Sequence, residues 1–268
     1  MRYSLLALIL ICSCSAFGDI LFGLSTAVPN GTIYGIDTTT GAATPIVTLT
    51  NDVITALVDI TILNGTLYAS DVDTATTTNF GSIAYPSGAF SPINQQNGSS
   101  NWQALAANPA LGIMYASADD GFPTQILSVT PSGVITLIGT TPVQVNDFAY
   151  DSGHGILYAI DDSDKLYTIN TSTGAATLIG DTGLGTFKIG LGYDSNNNVL
   201  YGNDVHDHNL YTLSTTTGAV TLVGPNGTTA EIDGLADFGV VSSVPEPATM
   251  AWIGLAVGGL ACTRRFRR

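Results

Sequence analysis

The chain of 268 residues is 45% hydrophobic and only 10% charged, a composition that can bury a sizeable core and excludes a disordered chain. Its formal net charge is −14, and 20 of its 21 acidic residues lie between residues 19 and 244, where Lys165 and Lys188 are the only bases. Such a surface repels phosphate backbones and anionic lipid, so nucleic-acid binding is excluded.

The first predicted element is a removable secretory signal peptide over residues 1–18. Arg2 precedes an apolar run over residues 5–11, and small residues follow as far as Gly18. A positive start, a short apolar stretch and a small-residue exit are typical of such a signal. Two alternatives stay open, a lipoprotein signal with Cys14 as the lipidated residue and an uncleaved anchor helix. The anchor is disfavoured because the run is shorter than the about 20 residues that span a bilayer.

The body, residues 19–240, is built from a repeat. Its members share a tyrosine within a short apolar segment, and the tyrosines fall at residues 68, 115, 158 and 201. One further segment precedes each tyrosine and two follow it, with a glycine turn such as Thr173-Gly174 between the last two. Each segment is short and rich in β-branched and aromatic residues, so each repeat predicts four strands. Four strands at a period of about 40–50 residues are the signature of propeller blades.

The ends of the array predict a closed ring of five blades. Four complete repeats lie near residues 52–94, 101–139, 145–180 and 188–224, and three strands precede them. The segment from Ile232 to Phe238 has the character of the strand that the first blade lacks. A C-terminal strand that completes the N-terminal blade would leave no open edge. We therefore predict an all-β fold, a five-bladed β-propeller, with a β-sandwich or an open solenoid as the alternatives.

The repeat also carries a resemblance to known propellers. Leu200-Tyr201-Gly202 and the run from Thr173-Gly174 to Ile179-Gly180 resemble the quinoprotein amine dehydrogenase-like and WD40-like repeats of many secreted bacterial proteins. The resemblance implies the fold and not an activity, since propellers include enzymes, lectins and scaffolds.

The C-terminal tail has three parts, a linker over residues 241–247, an apolar run over 248–263 and a basic end over 264–268. The motif residues are Val244, Pro245, Glu246 and Pro247, and the basic residues are Arg264, Arg265, Arg267 and Arg268. This order resembles the PEP-CTERM sorting signal of Gram-negative bacteria. The resemblance implies a transmembrane helix that anchors the chain in the inner membrane, with the arginines in the cytoplasm.

The same resemblance implies partners and a destination. An exosortase-type peptidase would process the tail, and the body would pass to the cell surface or extracellular matrix, where PEP-CTERM proteins are associated with exopolysaccharide and biofilm. A C-terminal anchor that is never cut is the alternative.

Acidic residues cluster in the predicted loops between the second and third strands of the blades. Carboxylate oxygens suit Ca²⁺, and the two imidazoles near residue 207 suit a transition metal. We expect no required cofactor, and Ca²⁺ is the candidate cation. Asp147 and Asp233 fall at the entries to innermost strands, on the same predicted rim. The alternative is that Asp and Asn simply form the turns. The candidate ligands are Asp161, Asp162, Asp164, Asp204, His206, Asp207 and His208.

Catalytic motifs are scarce in the body. It has one glutamate, Glu231, no arginine, no cysteine, no G-x-S-x-G elbow and no H-E-x-x-H helix. We therefore predict a non-catalytic propeller that binds glycan or matrix partners. The alternative is a polysaccharide hydrolase or lyase that uses rim or channel aspartates. A buried acidic pair with raised pKa in the channel would favour the enzyme, and a plugged channel would count against it.

Overall fold

The computed structural model describes residues 20–25, 31–50, 57–71, 80–93, 102–118, 123–185 and 188–237. The predicted signal peptide, the sorting motif from Val244 to Pro247, the apolar run and the basic tail lie outside these ranges. Within them, no helix is long and apolar enough to cross a membrane.

The described residues form five antiparallel sheets of four strands each, which confirms the predicted all-β propeller and its blade count. Blade 1 contains β1 (Ile20–Ser25), β2 (Thr32–Asp37), β3 (Ala43–Thr48) and β20 (Ile232–Asp237). Blade 2 contains β4 (Leu57–Leu63), β5 (Thr66–Asp71), β6 (Phe80–Ala84) and β7 (Ala89–Pro92). Blade 3 contains β8 (Trp102–Asn108), β9 (Ile113–Ala118), β10 (Thr124–Val129) and β11 (Ile135–Thr141). Blade 4 contains β12 (Val145–Asp151), β13 (Ile156–Asp161), β14 (Lys165–Ile169) and β15 (Ala176–Asp181). Blade 5 contains β16 (Ile189–Asp194), β17 (Val199–Asp204), β18 (Asn209–Leu213) and β19 (Val220–Pro225).

The ring closes as the sequence predicts. Strand β20 pairs antiparallel with β1, with Leu21 opposite Asp237 and Gly23 opposite Leu235, so the last strand completes the first blade. The innermost strands β4, β8, β12, β16 and β20 contact one another in a closed circuit around the axis. Closure of this kind pairs the inner edge of blade 1 and joins both ends of the ring.

The hydrophobic core is divided into five clusters, one at each interface between neighbouring blades. Between blades 2 and 3, fully buried Trp102 packs on Phe80 with ring centroids 5.7 Å apart, and Phe80 stacks on Tyr68 at 5.5 Å. The repeating tyrosines are buried in four of these clusters. Their period is therefore the period of blade packing and not of a ligand site.

The Thr-Gly and Ile-Gly parts of the repeat meet at the outer seam between blades. A Cβ on Gly180, in the outermost strand of blade 4, would overlap the carbonyl oxygen of Thr217 in the turn of blade 5. The same contact joins Gly139 to Thr173, and Gly224 to Thr40 across the closure. Glycine is required here because two backbones approach directly.

Candidate functional site

Five equivalent residues, one on each innermost strand, surround the axis of the propeller. Register shifts just before Asp59, Ala104 and Asp147 mark β-bulges in β4, β8 and β12. A bulge adds one residue and turns the next side chain to the other face of the strand. The corresponding position is glycine in the other two blades. The five residues are Asp59, Ala104, Asp147, Gly190 and Gly234.

The two aspartates of this ring join neighbouring blades through hydrogen bonds. Asp59 Oδ1 accepts from its own neighbour Ile60 N at 2.6 Å, and Oδ2 accepts from Leu105 N of blade 3 at 2.5 Å. Asp147 repeats the arrangement, accepting from Phe148 N at 2.5 Å and from Leu191 N of blade 5 at 2.6 Å. Each carboxyl therefore supplies an acceptor for an N–H of the next innermost strand.

The same two carboxyls share a hydrogen bond with each other in a fully buried setting. Burial, then the negative charge of Asp147, raises the pKa of Asp59 well above its usual range. Burial also raises the pKa of Asp147 well above its usual range, although hydrogen bonds from Asp59 and Leu191 N oppose the shift. Two carboxyls that touch in a dry site oppose each other's ionisation, so the pair favours a shared proton.

A third aspartate lies beside the pair but has a counter-ion. Asp233 forms an ion pair with Lys188, whose side chain is 42% exposed. Burial raises the pKa of Asp233, while the positive charge of Lys188 opposes the rise. Asp147 and Asp233 lie near the entries to the innermost strands β12 and β20, but they are buried there, with exposures of 3% and 7%.

At the other end of the innermost strands, the axis opens into a small cavity, open to solvent, that we call the axial funnel. Its wall combines small side chains with larger apolar ones such as Phe148 and Leu191, and its mouth carries hydroxyl and carboxyl groups. The small wall residues are Thr61, Ala106, Ala149, Gly192 and Ala236, and the mouth residues include Tyr150, Ser152, Tyr193, Ser195 and Asp237.

The mouth of the axial funnel is held by hydrogen bonds between blades. Ser152 Oγ lies 3.1 Å from Ser195 Oγ, and Ser195 N donates to Asp237 Oδ2 at 3.0 Å. Asp151 receives hydrogen bonds from Tyr193 and His154; burial alone would raise its pKa, but these bonds outweigh burial and lower it. The mouth is therefore a fixed surface rather than a set of independent loops.

The predicted metal ligands of blade 4 lie in the hairpin between β13 and β14. Asp161 Oδ1 accepts from Ser163 N and Lys165 N, both at 2.9 Å, and Oδ2 accepts from Tyr167 OH. Asp164 is buried in a left-handed conformation with φ of 56°, and Asp162 is partly buried beside it. The oxygens of Asp161 thus form the turn.

The predicted ligands of blade 5 lie in the hairpin between β17 and β18. Asp207 is a turn residue that accepts from Asn209 N at 2.9 Å and from Tyr211 OH at 2.5 Å. Asp204 is fully buried, whereas His206 is exposed and His208 is partly buried. Across the described ranges, no group of three or more His, Cys, Asp or Glu residues is arranged to hold a metal ion.

Two polar residues that the sequence analysis did not single out are central to the structure. Asp59 was missed, although Asp59-Ile60-Thr61 matches Asp147-Phe148-Ala149 when the innermost strands are aligned. Asn226 was also missed, although it is 1% exposed and bonded to Asn203.

Comparison with known proteins supports the fold alone. No family model and no curated protein matches the chain. A chain in the crystal structure of a nidogen/laminin complex superposes with a TM-score of 0.53 at 11% identity, covering 81% of this chain and 97% of that one. A protein of unknown function from Bacteroides thetaiotaomicron has a TM-score of 0.49 at 14% identity, covering 76% of this chain and 50% of that one. The chain is a five-bladed β-propeller protein.

Proposed function

We propose that the protein is an exported, non-catalytic propeller that binds glycan or matrix partners at the cell surface or in the extracellular matrix. The observation that carries this proposal is the state of the channel carboxyls. Asp59 and Asp147 are 0% and 3% exposed, and each is bonded to two backbone N–H groups. Carboxyls that hold the ring together in this way are not presented to a substrate.

A hydrolase or lyase is the competing function, and one observation favours it. The channel contains an acidic pair with raised pKa, which is the condition a general acid requires. Two features oppose it: the pair is closed to solvent, and a substrate that reached either carboxyl would have to displace backbone hydrogen bonds between blades. The raised pKa is accounted for by burial, as in any dry carboxyl pair.

The axial funnel is the surface that suits a ligand rich in hydroxyl groups. Its mouth combines Ser152, Ser195 and Asp237 with Tyr150 and Tyr193. Fixed hydroxyl and carboxylate groups beside aromatic rings match the alternating polar and apolar faces of a sugar. The net charge of −14 disfavours strongly anionic polysaccharides, so the proposed ligand is a neutral or cation-bridged glycan.

The fold has a precedent in a protein complex. The solved structure with the similar chain is a complex of nidogen with laminin, so a propeller of this size occurs in a protein–protein assembly. This precedent makes a matrix protein the second class of partner to test.

A pair of serines offers a direct test of binding at the axial funnel. Ser152 is exposed at its mouth, and S152W should fill the entrance without disturbing a buried group. We expect S152W to weaken binding of the glycans that the wild type selects on a neutral and acidic glycan array by at least about tenfold. S172W, at an exposed turn between β14 and β15, is the matched control and should bind as the wild type does. Equal binding by S152W and wild type, or no glycan binding by the wild type, would contradict the proposed glycan site.

The proposed localisation depends on the C-terminal tail, which resembles a PEP-CTERM signal. An exosortase-type peptidase would cut near Pro245-Glu246-Pro247, which removes the arginines after Cys262 and releases the body from the inner membrane. Mass analysis of the chain from a host with that peptidase should find the C terminus near Pro247. A mature chain that still ends at Arg268 would contradict this processing.

A further inference from the structure

The loop end of blade 5 contains three buried polar atoms with no hydrogen-bond partner among the described residues. They are Asp204 Oδ2, His208 Nδ1 and Asn226 Oδ1. Asp204 is 0% exposed and Asn226 is 1% exposed. An unpaired buried polar atom destabilises the fold, and more so when it belongs to a charged group, so each of these atoms requires an explanation.

The three residues are bonded to one another through their main chains. His208 N donates to Asp204 O at 3.0 Å, and Asn226 N donates to His208 O at 2.8 Å. His208 has a left-handed backbone with φ of 56°, which ends the loop and returns the chain toward β18. These main-chain bonds bring the three residues together at the same end of blade 5.

The orientation of the two oxygen atoms is fixed by their neighbours. Asn203 Nδ2 donates to Ile232 O, and Asn203 Oδ1 accepts from Asn226 Nδ2, each at 2.8 Å. The amide of Asn226 cannot flip without losing this bond, so its unpaired atom is an acceptor. Asp204 Oδ1 accepts from His206 N at 2.8 Å, which leaves Oδ2 as the unpaired oxygen.

The buried carboxylate of Asp204 also favours a cation at this place. Two fixed acceptor oxygens cannot satisfy each other, and the imidazole of His206, whose Nδ1 is 3.8 Å from Asp204 Oδ1, has a side chain that is 59% exposed. A buried carboxylate is stable when a cation is held beside it.

We propose that Asp204, His208 and Asn226 form a binding site for one divalent transition-metal cation, Mn²⁺ or Zn²⁺, with water completing its coordination. One carboxylate oxygen, one amide oxygen and one imidazole nitrogen are a mixed donor set that suits these ions, whereas Ca²⁺ takes oxygen ligands alone. This site goes beyond glycan binding and is independent of it, since it lies at the opposite end of β17 from the axial funnel. The exposed His206 and the turn residue Asp207 are not ligands in this proposal.

The test is metal titration of the full chain, purified with a histidine-free tag and stripped with EDTA. Calorimetry should give one Mn²⁺ or Zn²⁺ per chain, and Tm should rise by roughly 5–10 °C at a free metal concentration of about 100 times Kd. Calcium should produce a much smaller rise. In H208N, whose asparagine tolerates the left-handed backbone, affinity should fall by at least about tenfold. The matched variant H206N changes an exposed imidazole of the same loop and should bind as the wild type does.

Several results would overturn the site. They are the absence of bound metal in a folded wild type, unchanged affinity in H208N, and loss of affinity in H206N. The variant D204N is a second test of the site, and we expect it to lose metal binding if it folds. Anomalous diffraction from crystals soaked with Mn²⁺ should place the ion beside Asp204 Oδ2, and a water molecule found there instead would also overturn the proposal.

Discussion

In D59N/D147N, the free energy of unfolding should fall less steeply with rising pH, from about pH 4 upward, than it does in the wild type. In the wild type, burial raises the pKa of both carboxyls, and the charge of Asp147 raises that of Asp59 further, so the folded pair keeps protons to a higher pH than the unfolded carboxyls, which release theirs near pH 4. The folded state thus binds more protons, so the stabilisation is complete at low pH and is lost as pH rises through the folded pKa. The slope is at most about 1.4 kcal/mol per pH unit for each such proton.

The double variant should also be less stable than the wild type at pH 5. Each asparagine places an NH₂ group beside a backbone N–H whose hydrogen bond the carboxyl had accepted, such as Leu105 N or Leu191 N. An N–H left without an acceptor costs about 1–3 kcal/mol. The curves of the wild type and the variant should therefore converge as pH rises.

Urea unfolding at pH 5, 6, 7 and 8 measures both effects. The net charge of −14 gives every variant a background slope, and D181N corrects for it by removing one exposed carboxylate on blade 4. D181N should follow the slope of the wild type. If the unfolding free energy of the double variant has the same pH slope as that of D181N, the pair holds no extra proton in the folded state. The competing hydrolase or lyase function would then lose its main support.

The fold could be predicted from the sequence because the repeated residues make the same packing contact between each pair of neighbouring blades. Tyr68, Tyr115, Tyr158 and Tyr201 occupy equivalent places between blades, so their period gives the blade length directly. The closing strand was predictable for the same reason, since the segment over residues 232–238 resembles an innermost strand with no blade of its own. Both inferences depend on contacts that every blade repeats.

The channel pair was not predicted because it depends on β-bulges, which recur before the ring position in β4, β8, β12 and β20. The bulges before Asp59 and Asp147 change which face of the strand each side chain takes, and strict alternation of faces does not include them. The aspartates are also 88 residues apart (147 minus 59) and meet only after the ring closes. The blade 5 network is similar, because Asn226 reaches Asn203 and His208 from the end of another strand.

G190A should prevent stable closure of the ring and cost more than about 4 kcal/mol of unfolding free energy. A Cβ at this position would overlap the carbonyl oxygen of Asp233, where β16 passes β20. Strand β20 cannot easily retreat, because it pairs with β1 and because Asp233 is held by Lys188.

G153A is the matched control for that change. Gly153 lies in a turn of blade 4 without a left-handed backbone, and the nearest atom to an added Cβ is Asp151 Oδ1 at 3.3 Å. We expect G153A to change stability by less than about 1 kcal/mol. Urea midpoints and the rate of proteolysis measure both variants. If G190A unfolds at the urea midpoint of the wild type, the innermost strands of blades 5 and 1 are not in direct contact, and the ring must close in another way.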